Sequence, residues 1–211
     1  EPLEQPDARD AWRMMELLLP PVEERAQVYG LGSSLSQSKF SFTARRPYGS
    51  FAVVLLWNDA DEPARLTLTP EELGLPGGAY AVYSFWDNTV TFFGGEPFEM
   101  PELPPEHSLH LRITPLDGSP ALVGSSLHLG CGAREVESWL ACADGLEIRL
   151  TDAGARSGSL FLVLPWTPGA VVSRGMRASL RQISGSLYEL CLSERVRGAK
   201  EENRVHIARR A

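Results

Sequence analysis

The stretch FAVVLLWNDADEPARLTLTPEELGLPGGAYAVYSFWD, residues 51–87, decides the fold of this chain. Its apolar run at 51–57 stops at Asn58-Asp59, where side chains that bond their own backbone favour a turn. Residues 65–68, Arg-Leu-Thr-Leu, then alternate with the period of a half-buried strand. From 80 to 86 large side chains stand at both parities, with Tyr80, Val82 and Trp86 on one face and Tyr83 and Phe85 on the other. A strand that is apolar on both faces is covered on both, so a layer is expected on each side of this sheet. The residue types are those of a scaffold, and no catalytic set stands out among them.

The reading stays β toward the C-terminus. Gly77-Gly78, Asp87-Asn88 and Gly94-Gly95 are turn signals. Leu109, Leu111 and Ile113 alternate inward, which is expected to send His110 and Arg112 outward. A second module starts near Gly118, with strand-like runs at 146–150, 160–164 and 187–192 and a final alternation through Val205 and Ile207. Short strands with frequent turns indicate a sandwich or barrel. The expected architecture is therefore all-β: an antiparallel β-sandwich of two packed β units, 51–116 and 117–211. Residues 1–50 hold one N-terminal helix and a connector.

That helix is expected over residues 8–19, with Asp7 as N-cap, Asp10 in the first turn and Pro20-Pro21 as the stop. Trp12, Met15 and Leu19 share one face. A helix this short rarely holds alone in water, so the stripe needs something to bury against. Self-association through Trp12, Met15 and Leu19, giving a homo-oligomer, is one expected outcome. Residues 20–50, rich in Ser, Gly and Pro, read as a linker or an irregular segment lying on the sheet.

At 211 residues the chain can bury a core without a metal or disulfide staple. A net charge of −7 argues against nucleic acid as a partner. No apolar run is long enough to span a membrane, and no signal peptide is visible. Cys131, Cys142 and Cys191 form an odd set without a C-x-x-C pair, which fits a reducing, cytoplasmic setting. The first residue is Glu1 rather than Met, so the sequence is expected to be a piece of a longer protein.

Candidate chemistry is sparse. His107 and His110 fall on opposite sides of a strand, His128 faces away from Leu127 and Leu129, and His206 lies in a charged tail, so no metal site is assigned. Cys131 sits between Gly130 and Gly132, open to approach, but lacks the cation that would form a thiolate. Asp59, Asp61 and Glu62 crowd a turn and Glu71-Glu72 opens a helical turn, places that acidic residues take on local grounds. No catalytic residue and no cofactor is assigned. The tail 195–210 mixes both charges and reads as solvated. Among the aromatics Trp86, at a strand end beside Asp87-Asn88, is the candidate platform for a carbohydrate.

WNDADEPARLTLTPEELGL (57–75) followed by YAVYSFWD (80–87) resembles the segment that opens the C-terminal β domain of α-galactosidase-type, melibiase-like glycoside hydrolases. PPEHSLHLRITP (104–115) is similar to that domain's Pro-Pro-His-Ser lead into a strand, and LVGSSLHLGCGA (122–133) to its next strand and glycine turn. The resemblance covers about residues 51–135. It implies a domain that follows a catalytic (β/α)₈ barrel whose acidic residues sit at the barrel strand ends. The barrel itself is not in this sequence and becomes the expected partner, closed by a helix in the place of residues 8–19. The implied role is non-catalytic: stabilising or flanking the barrel. An autonomous carbohydrate-binding module is the alternative.

Overall fold

The computed structural model describes residues 8–29, 37–94, 97–195 and 203–210. The cap at Asp7 and the turn residue Gly95 lie outside the described residues. One helix, α1 (Ala8–Leu18), precedes β1 (Gln27–Tyr29), β2 (Gln37–Arg46), β3 (Gly49–Asn58), β4 (Thr67–Leu68), β5 (Ala79–Ser84), β6 (Thr89–Phe93), β7 (Phe98–Glu99) and β8 (His107–Leu116). Then come β9 (Ala121–Ser125), β10 (Val136–Cys142), β11 (Gly145–Leu150), β12 (Gly158–Val163), β13 (Pro168–Arg174), β14 (Arg177–Ser184), β15 (Leu187–Ser193) and β16 (Arg204–Arg209).

The strands form three antiparallel sheets and a short ribbon among the described residues. A six-stranded sheet runs β1-β2-β3-β8-β5-β6, a middle sheet β14-β15-β12-β9 and an outer sheet β10-β11-β16-β13, with β4 and β7 as the ribbon. The fold is all-β and sandwich-like.

Strand alternation sets the layers. On β3, Ala52, Val54 and Leu56 bury against Leu68 of the ribbon, Leu73 and Phe98. Phe51 and Val53 turn to the opposite face and meet Val123, Phe161 and Leu187 of the middle sheet. The middle sheet is apolar on its far side too, where Leu160, Leu162 and Leu190 pack on Trp139, Ile148 and Val205 of the outer sheet. Each fully buried aliphatic or aromatic side chain contributes roughly 1.5–3 kcal/mol of transfer free energy. The fold is thus held by apolar cores on both faces of two successive sheets.

Several expectations change. The connector reading of 20–50 is corrected, because this stretch supplies β1 and the ten-residue β2, paired along its whole length with β3. Phe40, Phe42 and Ala44 alternate there with polar residues, and the polar half hides the period. The strand read at 65–68 is only Thr67–Leu68. α1 ends at Leu18 and β5 at Ser84, which leaves Trp86 in a turn. Arg112 and His110 do not face solvent: Arg112 is 1% exposed and His110 is largely buried, because the middle sheet and its following turn cover that face of β8. His128 and Cys131 are also buried. They lie beyond the end of β9, in the turns that follow it rather than in a strand.

Candidate functional site

The hairpin β5–β6 carries the most site-like geometry. Its turn, residues 85–88, is held by the side chains that flank it. Tyr83 Oη donates to Asn88 Oδ1 at 2.7 Å and Ser84 Oγ donates to Asp87 Oδ2 at 2.6 Å. Asn88 has φ 58°, a left-handed conformation that Asn tolerates better than most residues. Phe85 is buried and meets the Trp86 ring edge to face at 4.9 Å, while Trp86 itself is 54% exposed. The indole is braced from behind and open in front.

Beside it, on the ribbon side of the sheet, lies a groove of about 400 Å³. Ser84, Asp87, Thr89 and Thr91 line it with Phe93 and Met100, whereas Trp86 does not. The volume falls in the range of small-ligand clefts. A fixed carboxylate, hydroxyls and a nearby exposed ring form the kind of surface that hydrogen-bonds and stacks on a sugar. Asp87 is the one carboxylate among the described lining residues, whereas glycoside cleavage uses a pair. Thr89 and Thr91 were missed from the sequence, since which groups line a groove depends on how β5, β6 and β8 pair.

α1 is anchored on the side opposite its expected stripe. Leu17, 8% exposed, enters the core between the six-stranded and middle sheets. The Leu129 N–H donates to the Leu17 carbonyl at 3.0 Å, and the His128 imidazole Nε2 bonds the Pro20 carbonyl at 2.9 Å. These contacts fix the C-terminal end of the helix. Trp12 is 74% exposed, and Met15 and Leu19 48% each. The stripe has no cover among the described residues.

Ionisable groups meet at a buried junction between the two sheets. Two side chains of the six-stranded sheet and one of its β2–β3 turn hold three consecutive carbonyls of the turn after β9. Arg112 donates to Cys131, Tyr48 to Gly132 at 2.5 Å, and Arg46 to Ala133 at 2.9 Å. Arg112 also donates to Thr114 Oγ1 at 2.9 Å, and its guanidinium carbon lies 3.6 Å over the Phe51 ring. Gly132, at φ 109°, leaves room for that guanidinium, which an added methyl would strike. Burial pulls Arg112 down to about 10, so it remains a cation at neutral pH. Burial pushes the Tyr48 hydroxyl and the Cys131 thiol up, which keeps both protonated and disqualifies Cys131 as a nucleophile. Glu135, also buried, accepts from the Gly132 N–H at 2.8 Å. The junction is a fastening, closed to substrate.

The remaining candidates are local. His107 bonds the Pro105 carbonyl at 2.7 Å and His110 the Leu129 carbonyl at 2.7 Å, with burial lowering the His110 pKa. Among the described residues no group of three or more His, Cys, Asp and Glu is placed to hold a metal ion, and no helix is long and apolar enough to cross a membrane. Arg195, read as part of a solvated tail, is buried instead and donates to the Ala153 carbonyl at 3.2 Å and the Ala155 carbonyl at 2.8 Å.

No family model matches the chain, and no curated protein matches it. Among solved structures it is similar to a protein from Bacillus halodurans provisionally named α-N-acetylgalactosaminidase, at 22% identity and a TM-score of 0.36 over 44% of this chain and 21% of that one. It is also similar to α-galactosidase I from Mortierella vinacea, at 19% identity and a TM-score of 0.35 over 43% of this chain and 23% of that one. The chain spans about a fifth of the length of either. At these scores the likeness carries no chemistry across.

Proposed function

We propose that this chain is a non-catalytic β-sandwich domain accompanying a glycoside hydrolase barrel of the α-galactosidase type, and that α1 docks it on that barrel. The observation that carries the reading is the outward apolar face Trp12, Met15 and Leu19 on a helix fastened from behind by Leu17. Burying three such side chains supplies roughly 1.5–3 kcal/mol each, enough to seat a helix on a neighbour. The ordered resemblance of residues 57–75, 80–87, 104–115 and 122–133 to the accessory domain of those enzymes supports the choice of partner. Where the barrel is missing, the same face is available to a second copy of the chain.

Two measurements test this. The purified chain is expected not to hydrolyse aryl α-galactosides. Robust turnover that a point substitution within the chain abolishes would overturn the non-catalytic reading. Sedimentation of the chain alone is expected to show concentration-dependent association that Trp12→Asp removes. A monomer at every concentration, with α1 still helical by circular dichroism, would overturn the docking role of the stripe.

A second reading rests on the β5–β6 hairpin, where exposed Trp86 neighbours the Asp87, Thr89 and Thr91 groove: carbohydrate binding. Calorimetric titration with neutral mono- and oligosaccharides is expected to show binding that Trp86→Ala abolishes. Binding unchanged in that variant and in Asp87→Ala would remove the site.

A further inference from the structure

Strand register lines up arginines on the outer sheet. Arg149 of β11 stands opposite Arg204 of β16, and Arg204 opposite Arg174 of β13. Ile148 and Val205 point into the core, and Val171 packs against it. The three arginines, one residue along from Ile148 and Val205 and three from Val171, therefore share the opposite, outer face. Like charges directly opposite one another on neighbouring strands weaken a sheet, so the row has a cost that packing does not explain.

Compensation on this face is incomplete. Glu137 Oε1 accepts from Arg149 Nη2 at 2.7 Å, while Glu147 Oε1 lies 3.8 Å from Arg204 Nη1, too far for a hydrogen bond. Arg174 is exposed and has no carboxylate partner among the described residues. The Nε–H groups of Arg149 and Arg204 are shielded from solvent and have no acceptor among the described residues. Among the described residues three arginines thus meet two carboxylates here, on a chain whose net charge is −7. The next row runs Leu140, Glu147, His206, Val172, and its two ends are exposed aliphatic side chains. No Phe, Tyr or Trp lies in either row, so a sugar would find no broad stacking platform.

We propose that this face binds an acidic protein segment, its carboxylates on the row Arg149, Arg204 and Arg174 and its apolar side chains on Leu140 and Val172. Guanidinium forks pair with carboxylates through parallel N–H bonds, and the exposed fork of Arg174 is placed to make them. The inference is independent of α1 and of the Trp86 groove.

The test is fluorescence anisotropy with a labelled peptide of alternating glutamate and leucine, at low and physiological salt. Saturable binding that weakens with salt is expected. Arg174→Glu, an exposed edge position, should leave the melting temperature unchanged and weaken binding by about tenfold or more, the size of a lost charge-assisted bond. Arg174→Lys should retain part of the affinity, and Leu140→Ser should lower it. No binding at low salt, or equal affinity in Arg174→Glu, would overturn the proposal. So would polygalacturonate or anionic lipid vesicles binding as tightly as the peptide and indifferent to Leu140→Ser, since the partner would then not be protein.

Discussion

Replacing Arg112 by Met keeps the aliphatic stem and deletes the guanidinium that ties β8 to the turn after β9. The buried carbonyl of Cys131 and the Thr114 hydroxyl then lose their donor, as does the Leu122 carbonyl that a second guanidinium nitrogen reaches. A buried acceptor left unsatisfied costs about 1–3 kcal/mol. Loss of the cation over Phe51 adds up to about 2 kcal/mol in a desolvated site. Relief from desolvating a buried charge offsets part of this, while buried Glu135 loses a nearby opposite charge. The net expectation is a loss of about 3–5 kcal/mol, the size seen when one partner of a buried ionic arrangement is removed. At about 2–4 °C per kcal/mol for a domain of this size, melting should fall by about 10 °C. Urea unfolding followed by tryptophan fluorescence would measure it, with scanning calorimetry as the second observable. Arg112→Lys keeps the charge but cannot serve three acceptors from one planar fork, so it should fall between the two. A Met variant within about 1 kcal/mol of the parent, folded and with the same denaturant slope, would refute the fastening role.

Other expectations follow from single contacts. A Cβ on Gly124 would lie 2.7 Å from Tyr83 Cδ2, inside its van der Waals envelope, so Gly124→Ala should destabilise by about 1–3 kcal/mol; an unchanged urea midpoint would contradict the packing described. Cys142 is exposed, Cys191 half-buried and Cys131 buried. A disulfide reagent should therefore modify Cys142 first and Cys131 only on unfolding; early modification of Cys131 would mean that the junction opens. Burial opposes ionisation of Glu189, but hydrogen bonds from Arg181 and Ser159 outweigh it and hold the carboxyl below its usual range. The folded pKa thus lies below the unfolded one, so this stabilisation is complete above the unfolded carboxylate pKa and lost as pH falls through the folded value. Glu189→Gln should flatten the acid side of a melting-temperature profile; an unchanged profile would remove the pair from the account.

Periodicity carried the reading of β3, β5 and β8 because their apolar residues lie in runs or strict alternation. β2 escaped because Lys39, Ser41, Thr43 and Arg45 alternate with Phe40, Phe42 and Ala44, and the polar half made the segment look like a connector. Arg112 is the most instructive miss. Alternation along β8 gives its side but not what covers that side. Tyr83 had already marked a second covered face, and register sets Tyr83 directly opposite Arg112. Combining the two places the guanidinium inside. The helix stripe was legible as a pattern, while its anchor, Leu17, lay on the face that the pattern left aside. Trp86 was legible as a ring at a strand end, but the Thr89 and Thr91 groove exists only after three strands pair.

The docking role of α1 is tested most directly by hydrogen exchange of its amides, measured in this chain alone and in a polypeptide that also carries the catalytic barrel proposed to precede it. The account requires exchange around Trp12 and Met15 to slow by at least about tenfold when the barrel is present, and Trp12→Asp to restore the fast rate. Equal exchange in both contexts, with the barrel folded and active, would contradict it.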